Sequence, residues 1–254
     1  MFSDVRTSAV SVRAWARGDY PMPRWTLLPA ALAPISLVGG WLVAGLVQRD
    51  HYDPVRQTIS ILAGSAASDR WIMTLGLYSL GICQIVTAAG LSVARPRARM
   101  FLVMGGLAGL GVAIFPQPPH GSAAAHLVFA TLSVTCLALW PATLGSRGPA
   151  CPLVLSVRGS VLVTAAFVGL LAWVFAAGHG GGALGVAERV DTAIENSWPL
   201  VIVLAIRRSS RRATIRFSQR EGYDERPADL QRGTDPFSET DSRAVLGLDR
   251  GPAE

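Results

Sequence analysis

The chain contains no lysine, so all 23 of its basic residues are arginine. Charge of either sign is scarce, at 16% of 254 residues, against 50% hydrophobic residues and a mean hydropathy of +0.38. That composition leaves too little polar surface to cover a water-soluble globule and points to a polytopic membrane protein. Cysteine is nearly absent too. Cys83 and Cys136 lie inside apolar runs and Cys151 in a loop assigned below to the cytoplasm, which excludes an exported disulfide scaffold. A cleavable signal peptide is not expected, because the first apolar run begins only at Trp25, is too long for a signal core and lacks a small-residue cleavage site. The net charge of +6 and pI near 10.0 would suit a nucleic-acid binder in a soluble chain. Here the arginines sit in loops and tails between apolar runs, so the bilayer is the expected partner and nucleic acid is not.

Five uncharged runs are long enough to cross about 30 Å of hydrocarbon: 25–47, 71–91, 100–115, 125–144 and 160–177. A sixth is interrupted, since Trp198 to Ile206 alone would span only about 15 Å of helix. Extending it back to residue 185 gives about 33 Å and draws Glu188, Arg189, Asp191 and Glu195 into or beside the membrane. The expected architecture is an all-α bundle of six transmembrane helices over 25–206, preceded by a basic tail, 1–24, and followed by a disordered tail, 207–254, too polar to fold alone. Arginines cluster before the first run, in alternate loops (Arg95, Arg97, Arg99; Arg147, Arg158) and after the last run. The positive-inside bias therefore predicts both termini in the cytoplasm of a plasma-membrane protein.

This orientation puts all four histidines, His51, His120, His126 and His179, on the extracytoplasmic side with the acids of the last helix. In the first outer loop Asp53 can cap a helix starting at Pro54. Val55, Ile59 and Leu62 would face the bilayer from that interfacial helix, leaving Arg56, Gln57 and Ser60 toward a pocket. Asp69 is expected to cap the second span. After the third, "FPQPPHGSAAAH" reads as a rigid re-entry turn. On one helix His120 and His126 would point about 240° apart, so they are weak metal candidates, and a hydrogen-bonded structural histidine is the plainer reading.

Glu188, Asp191 and Glu195, spaced i, i+3, i+7, fall within about 60° of one another and form one acidic stripe. Ionised groups near hydrocarbon face a bundle interior or a wet cavity, so structural ion pairing with Arg189 or Arg56 and a functional pocket both fit. The "GHGGGALG" linker fits either a flexible loop or a close backbone approach to a ligand, and Gly105 with Gly109 suggests close helix packing.

The segments "YDPVRQTISILAG", "DRWIMTLGLYSLGI", "FPQPPHGSAAAH" and "GVAERVDTAIENSWPL", in that order, resemble the domain-of-unknown-function 998 family over roughly Trp25 to Ile206. The resemblance implies a six-helix membrane bundle and carries no activity.

Three functions follow from the residues. In the first the chain binds or assists a lipid ligand or a membrane-protein partner at a pocket of His51, Asp53, Arg56, Ser60, His120, His126, Glu188, Arg189, Asp191 and Glu195. The alternative is a membrane hydrolase or transferase acting on lipid, with His126, Glu188 and Asp191 as catalytic candidates and His120 and His126 as metal ligands. It would work without "G-x-S-x-G" or "H-E-x-x-H", which the chain lacks. The third, a small transporter, is disfavoured by the absence of a charged relay toward the cytoplasmic side. No cofactor is specified.

Overall fold

The structure is a computed structural model that describes residues 22–49, 52–121, 123–146 and 152–224. His51, Arg147, Cys151, most of the basic N-terminal segment and residues 225–254 of the expected tail lie outside the described residues. All described elements are helical: α1 (Leu27–Val47), α2 (Ile59–Leu62), α3 (Arg70–Gly90), α4 (Pro96–Ile114), α5 (Ala124–Leu139), α6 (Val157–Ala176) and α7 (Leu184–Asp224). Five stretches are long and apolar enough to cross a membrane: Arg24–Val47, Arg70–Gly90, Pro96–Ile114, Ala124–Thr143 and Val157–Gly180. The chain is an all-α polytopic membrane protein.

Sequence chemistry explains the helix boundaries. Pro96 opens α4 at the first-turn position where its missing amide costs nothing, so α4 begins four residues ahead of the apolar run and carries Arg97 and Arg99 in its first turn. After α4 the prolines end the helix, and Gly121 turns the chain at φ +73°, a left-handed conformation that glycine adopts without strain. α1 packs on α3, α3 on α4 and α4 on α5, so helices adjacent in sequence are neighbours in space. The close backbone approach of α3 and α4 lies at Gly81 and Gly106, beside the expected Gly105 and Gly109. A Cβ on Gly81 would stand 2.7 Å from the Gly106 carbonyl oxygen, and one on Gly106 2.8 Å from that of Gly81. Gly105 and Gly109 instead meet Leu137 and Ser133 of α5 at ordinary contact distances.

α7 explains the interrupted sixth run. At one end of the bundle its Val186 amide donates to the Val55 carbonyl at 3.2 Å, and at the other Arg207 donates to the Arg24 carbonyl ahead of α1. Gly185 to Arg207 is about 33 Å of helix, so α7 runs the length of the bundle. Its Ile202, Val203 and Ile206 are buried in a core cluster with Leu102, Leu137 and Trp140, whereas only 11% of the apolar window of α6 is buried. A helix enclosed by its neighbours can carry polar side chains that one facing lipid cannot, and this is why its composition hides it from a search for apolar runs. α7 continues past Ile206 to Asp224. The added segment lacks proline, and extending an already nucleated helix costs little. By its contacts the chain divides at Arg211, and in the second unit the described part is this helical continuation.

Candidate functional site

The first loop does not form the expected interfacial helix. Asp53 accepts from the Val55 amide at 2.9 Å through its side chain and from the Gln57 amide at 2.8 Å through its backbone, which closes a single turn. The helix proper is α2, one turn long, with Thr58 at its N-cap. Val55 is exposed, but Ile59 and Leu62 are buried against Leu37, Trp41 and Leu77 rather than facing the bilayer. Lipid is as apolar as the bundle interior, so packing and the polar contacts from α7, rather than transfer out of water, hold the segment inward. Asp69 makes no side-chain cap to α3.

α7 holds this loop in place. The Glu188 carboxylate accepts the Ile59 amide at 2.6 Å, taking up an otherwise unpaired donor of α2. Arg189 donates to the carbonyls of Pro54 at 2.8 Å, Gln57 at 3.0 Å and Gly185 at 2.7 Å, and to the Tyr52 hydroxyl, with its guanidinium 5.5 Å from the centre of that ring. Burial raises the Tyr52 phenol above its ordinary range against the pull of the Arg189 cation. A Cβ on Gly185 would run into the Pro54 and Gln57 carbonyls, so the close approach served by the glycine linker is to the first loop. Glu188 and Arg189 thus act as a clip. Among the described residues Arg189 forms no salt bridge, though it stands next to Glu188 in sequence, and Arg56 pairs with Asp53 at 3.8 Å on the surface.

The three described histidines, His120, His126 and His179, have separate surroundings. His126 is buried, with Nδ1 2.8 Å from the Phe115 carbonyl oxygen, and fastens α5 to the end of α4. His120 is exposed in the proline turn. His179 Nδ1 lies 2.8 Å from the Phe175 carbonyl oxygen in the wide turn after α6. Ser60 is half-buried in α2. Among the described residues no three His, Cys, Asp or Glu side chains group as a metal site.

Below the clip, one face of α7 is buried along its length and changes character midway. Asp191, Thr192, Glu195 and Asn196 occupy it first, then Pro199, Ile202, Val203 and Ile206. Asp191 and Glu195 are each 1% exposed, less than many of the aliphatic residues around them. Glu195 lies about 15 Å along the helix from Gly185, near halfway. Gln84 of α3 faces this stretch, its Nε2 donating to Asn196 Oδ1, while Asn196 Nδ2 donates to the Thr192 carbonyl at 2.7 Å. Here Asp191 Oδ1, both carboxylate oxygens of Glu195 and Gln84 Oε1 are buried acceptors without a donor, and the Thr87 hydroxyl and the Trp198 indole N–H on the same two helices are buried without a partner as well. Pro199 has no amide to offer the Glu195 carbonyl four residues back. Gln84 and Asn196 were missed in the sequence, although Gln84 is the one amide side chain in the run 71–91 and Asn196 adjoins Glu195.

No curated protein and no solved structure matches the chain. A family model described as "Protein of unknown function (DUF998)" matches residues 31–205, which include the loop, its clip and the polar face of α7. With more than half of its length matched, the chain belongs to the DUF998 family.

Proposed function

We propose that this is a membrane binding protein with six crossings, α7 being the sixth, whose buried polar face takes up a positively charged hydrogen-bond donor, the primary ammonium of a lipid head group or of a small amine. The observation that carries this reading is the set of four buried, donorless acceptor oxygens on facing helices, two of them on a fully buried Glu195. Unpaired polar atoms in a low-dielectric interior cost about 1–3 kcal/mol each, so a fold with no use for them is expected to lose them. Two carboxylates without a counter-charge supply the sign, and acceptors without donors supply the chemistry: an ammonium brings both the charge and several N–H groups. The arginine distribution supports cytoplasmic termini, and with them an Asp191 nearer the extracytoplasmic side.

Thermal unfolding of the full chain in detergent tests the proposal with three probes: ethanolamine, phosphatidylethanolamine, and phosphatidylcholine, whose head group has no N–H. A ligand at a hundredfold excess over its Kd stabilises by about 2.7 kcal/mol. The expected result is stabilisation by phosphatidylethanolamine over phosphatidylcholine, lost in the Asp191→Asn/Glu195→Gln double variant. Stabilisation by ethanolamine as well would identify a free amine as sufficient. Equal effects of the two lipids with none from ethanolamine, or a gain that persists in the double variant, would overturn the reading.

A further inference from the structure

A second feature lies at the other end of the bundle. Between α3 and α4, on their outward side, is a groove of about 370 Å³ lined by Ile85, Ala88, Ala89, Met100 and Val103, with Pro96 and Arg99 at one end. α3 and α4 are both membrane-crossing helices, so the apolar part of this groove faces hydrocarbon. Its polar end does not. Arg99 is half-buried and donates through Nε to the Ala88 carbonyl at 2.9 Å and through Nη2 to the Ala89 carbonyl at 3.5 Å. These contacts hold the guanidinium on the last turn of α3, and no described carboxylate forms a salt bridge with it. Arg95 and Arg97 stand exposed beside it.

Within 22–210 the described acids and most of the described arginines lie at opposite ends of the bundle. Within 22–210, the acids of the described residues are Asp53, Asp69, Glu188, Asp191 and Glu195, all in the first loop, at the adjoining start of α3 or in the first half of α7. Arg24, Arg95, Arg97, Arg99, Arg207 and Arg208 belong to the opposite end. Among the described residues the one ion pair is Arg56 with Asp53, and none of these arginines pairs with a described carboxylate.

We propose that this groove is a site for an anionic glycerophospholipid in the leaflet on the arginine-rich side, with one acyl chain along the groove and the head-group phosphate at Arg99. Three observations converge on that occupant. The lining is aliphatic where a chain would lie, a cation held in place by two backbone carbonyls stands where the glycerol phosphate would be, and further arginines add a field that favours a net-negative head group. A guanidinium presents a planar fork to phosphate, and one already immobilised loses little freedom on binding. The site is independent of the polar face of α7 and shares no residue with it.

Native mass spectrometry of the full chain with phosphatidylglycerol or phosphatidylcholine of identical acyl chains tests the assignment. The expected result is one phosphatidylglycerol retained under activation that strips phosphatidylcholine, with its occupancy reduced about fivefold or more in Arg99→Gln. Arg99 also caps α3, so Val103→Trp, which fills the groove and keeps the arginine, provides the deciding variant; it is expected to lose the retained lipid with the protein still monodisperse. Equal retention of the two lipids in the native chain, or undiminished phosphatidylglycerol in Val103→Trp, would overturn the site.

Discussion

Arg189→Ala is expected to destabilise the detergent-purified protein by about 2–4 kcal/mol, a fall of roughly 5–10 °C in Tm for a chain of this size. The single guanidinium donates to three backbone carbonyls and to the Tyr52 hydroxyl. Its removal strips the Pro54 carbonyl of a donor, leaves the Gln57 carbonyl only the longer bond from the Tyr52 hydroxyl, and loosens the turn ahead of α2 from α7. Ile59 and Leu62 depend on that attachment for their burial, so the loss should extend beyond the hydrogen bonds. Arg189→Lys should recover little, because one ammonium on a flexible stem cannot reproduce the fork. Limited proteolysis between residues 52 and 64 provides the local readout: faster cleavage in both variants is expected, and wild-type resistance together with wild-type Tm would show that the clip is dispensable.

Glu195→Met should do the opposite. The substitution keeps side-chain volume and removes two buried oxygens that have no donor, so a gain of about 1–3 kcal/mol in the ligand-free protein is expected. The same variant should give no stabilisation with phosphatidylethanolamine. Higher stability with lost binding is the pattern of a residue retained for function at a cost to the fold. Thermal unfolding with and without lipid measures both quantities in one series. A large loss of stability in Glu195→Met would mark the carboxylate as a structural element and remove its claim to be a binding group.

How much of this was legible beforehand depends on which physical signal each feature carries. The five apolar helices announce themselves because hydrocarbon thickness sets both length and composition. α7 does not, since a helix enclosed by others need be apolar only where it meets apolar neighbours. Its buried face is polar at Asp191 and Glu195 and aliphatic at Ile202 and Ile206. The i, i+3, i+7 spacing was enough to place the acids on one face, but not to separate their roles: Glu188 binds the Ile59 amide, whereas Glu195 is enclosed without a donor. Gln84 lies 112 positions from Asn196, and no local pattern links residues so far apart. The arginine pattern put the histidines on one side of the membrane but carries no signal for their local partners, which for His126 and His179 are the carbonyls of Phe115 and Phe175. The first loop differs from expectation because amphipathic spacing identifies a helical turn without saying whether its apolar side meets lipid or protein. The clip from α7 decides that.

The account rests on α7 crossing the membrane with its acids inside the bundle. Site-directed labelling of intact cells tests this most directly, on a background with Cys83, Cys136 and Cys151 replaced by serine. A membrane-impermeant maleimide is expected to label Ala183→Cys from outside the cell, and to label Ser209→Cys only after permeabilisation. Labelling of both positions from the same side would mean that α7 does not cross, and would contradict both the sixth span and the buried site built on it.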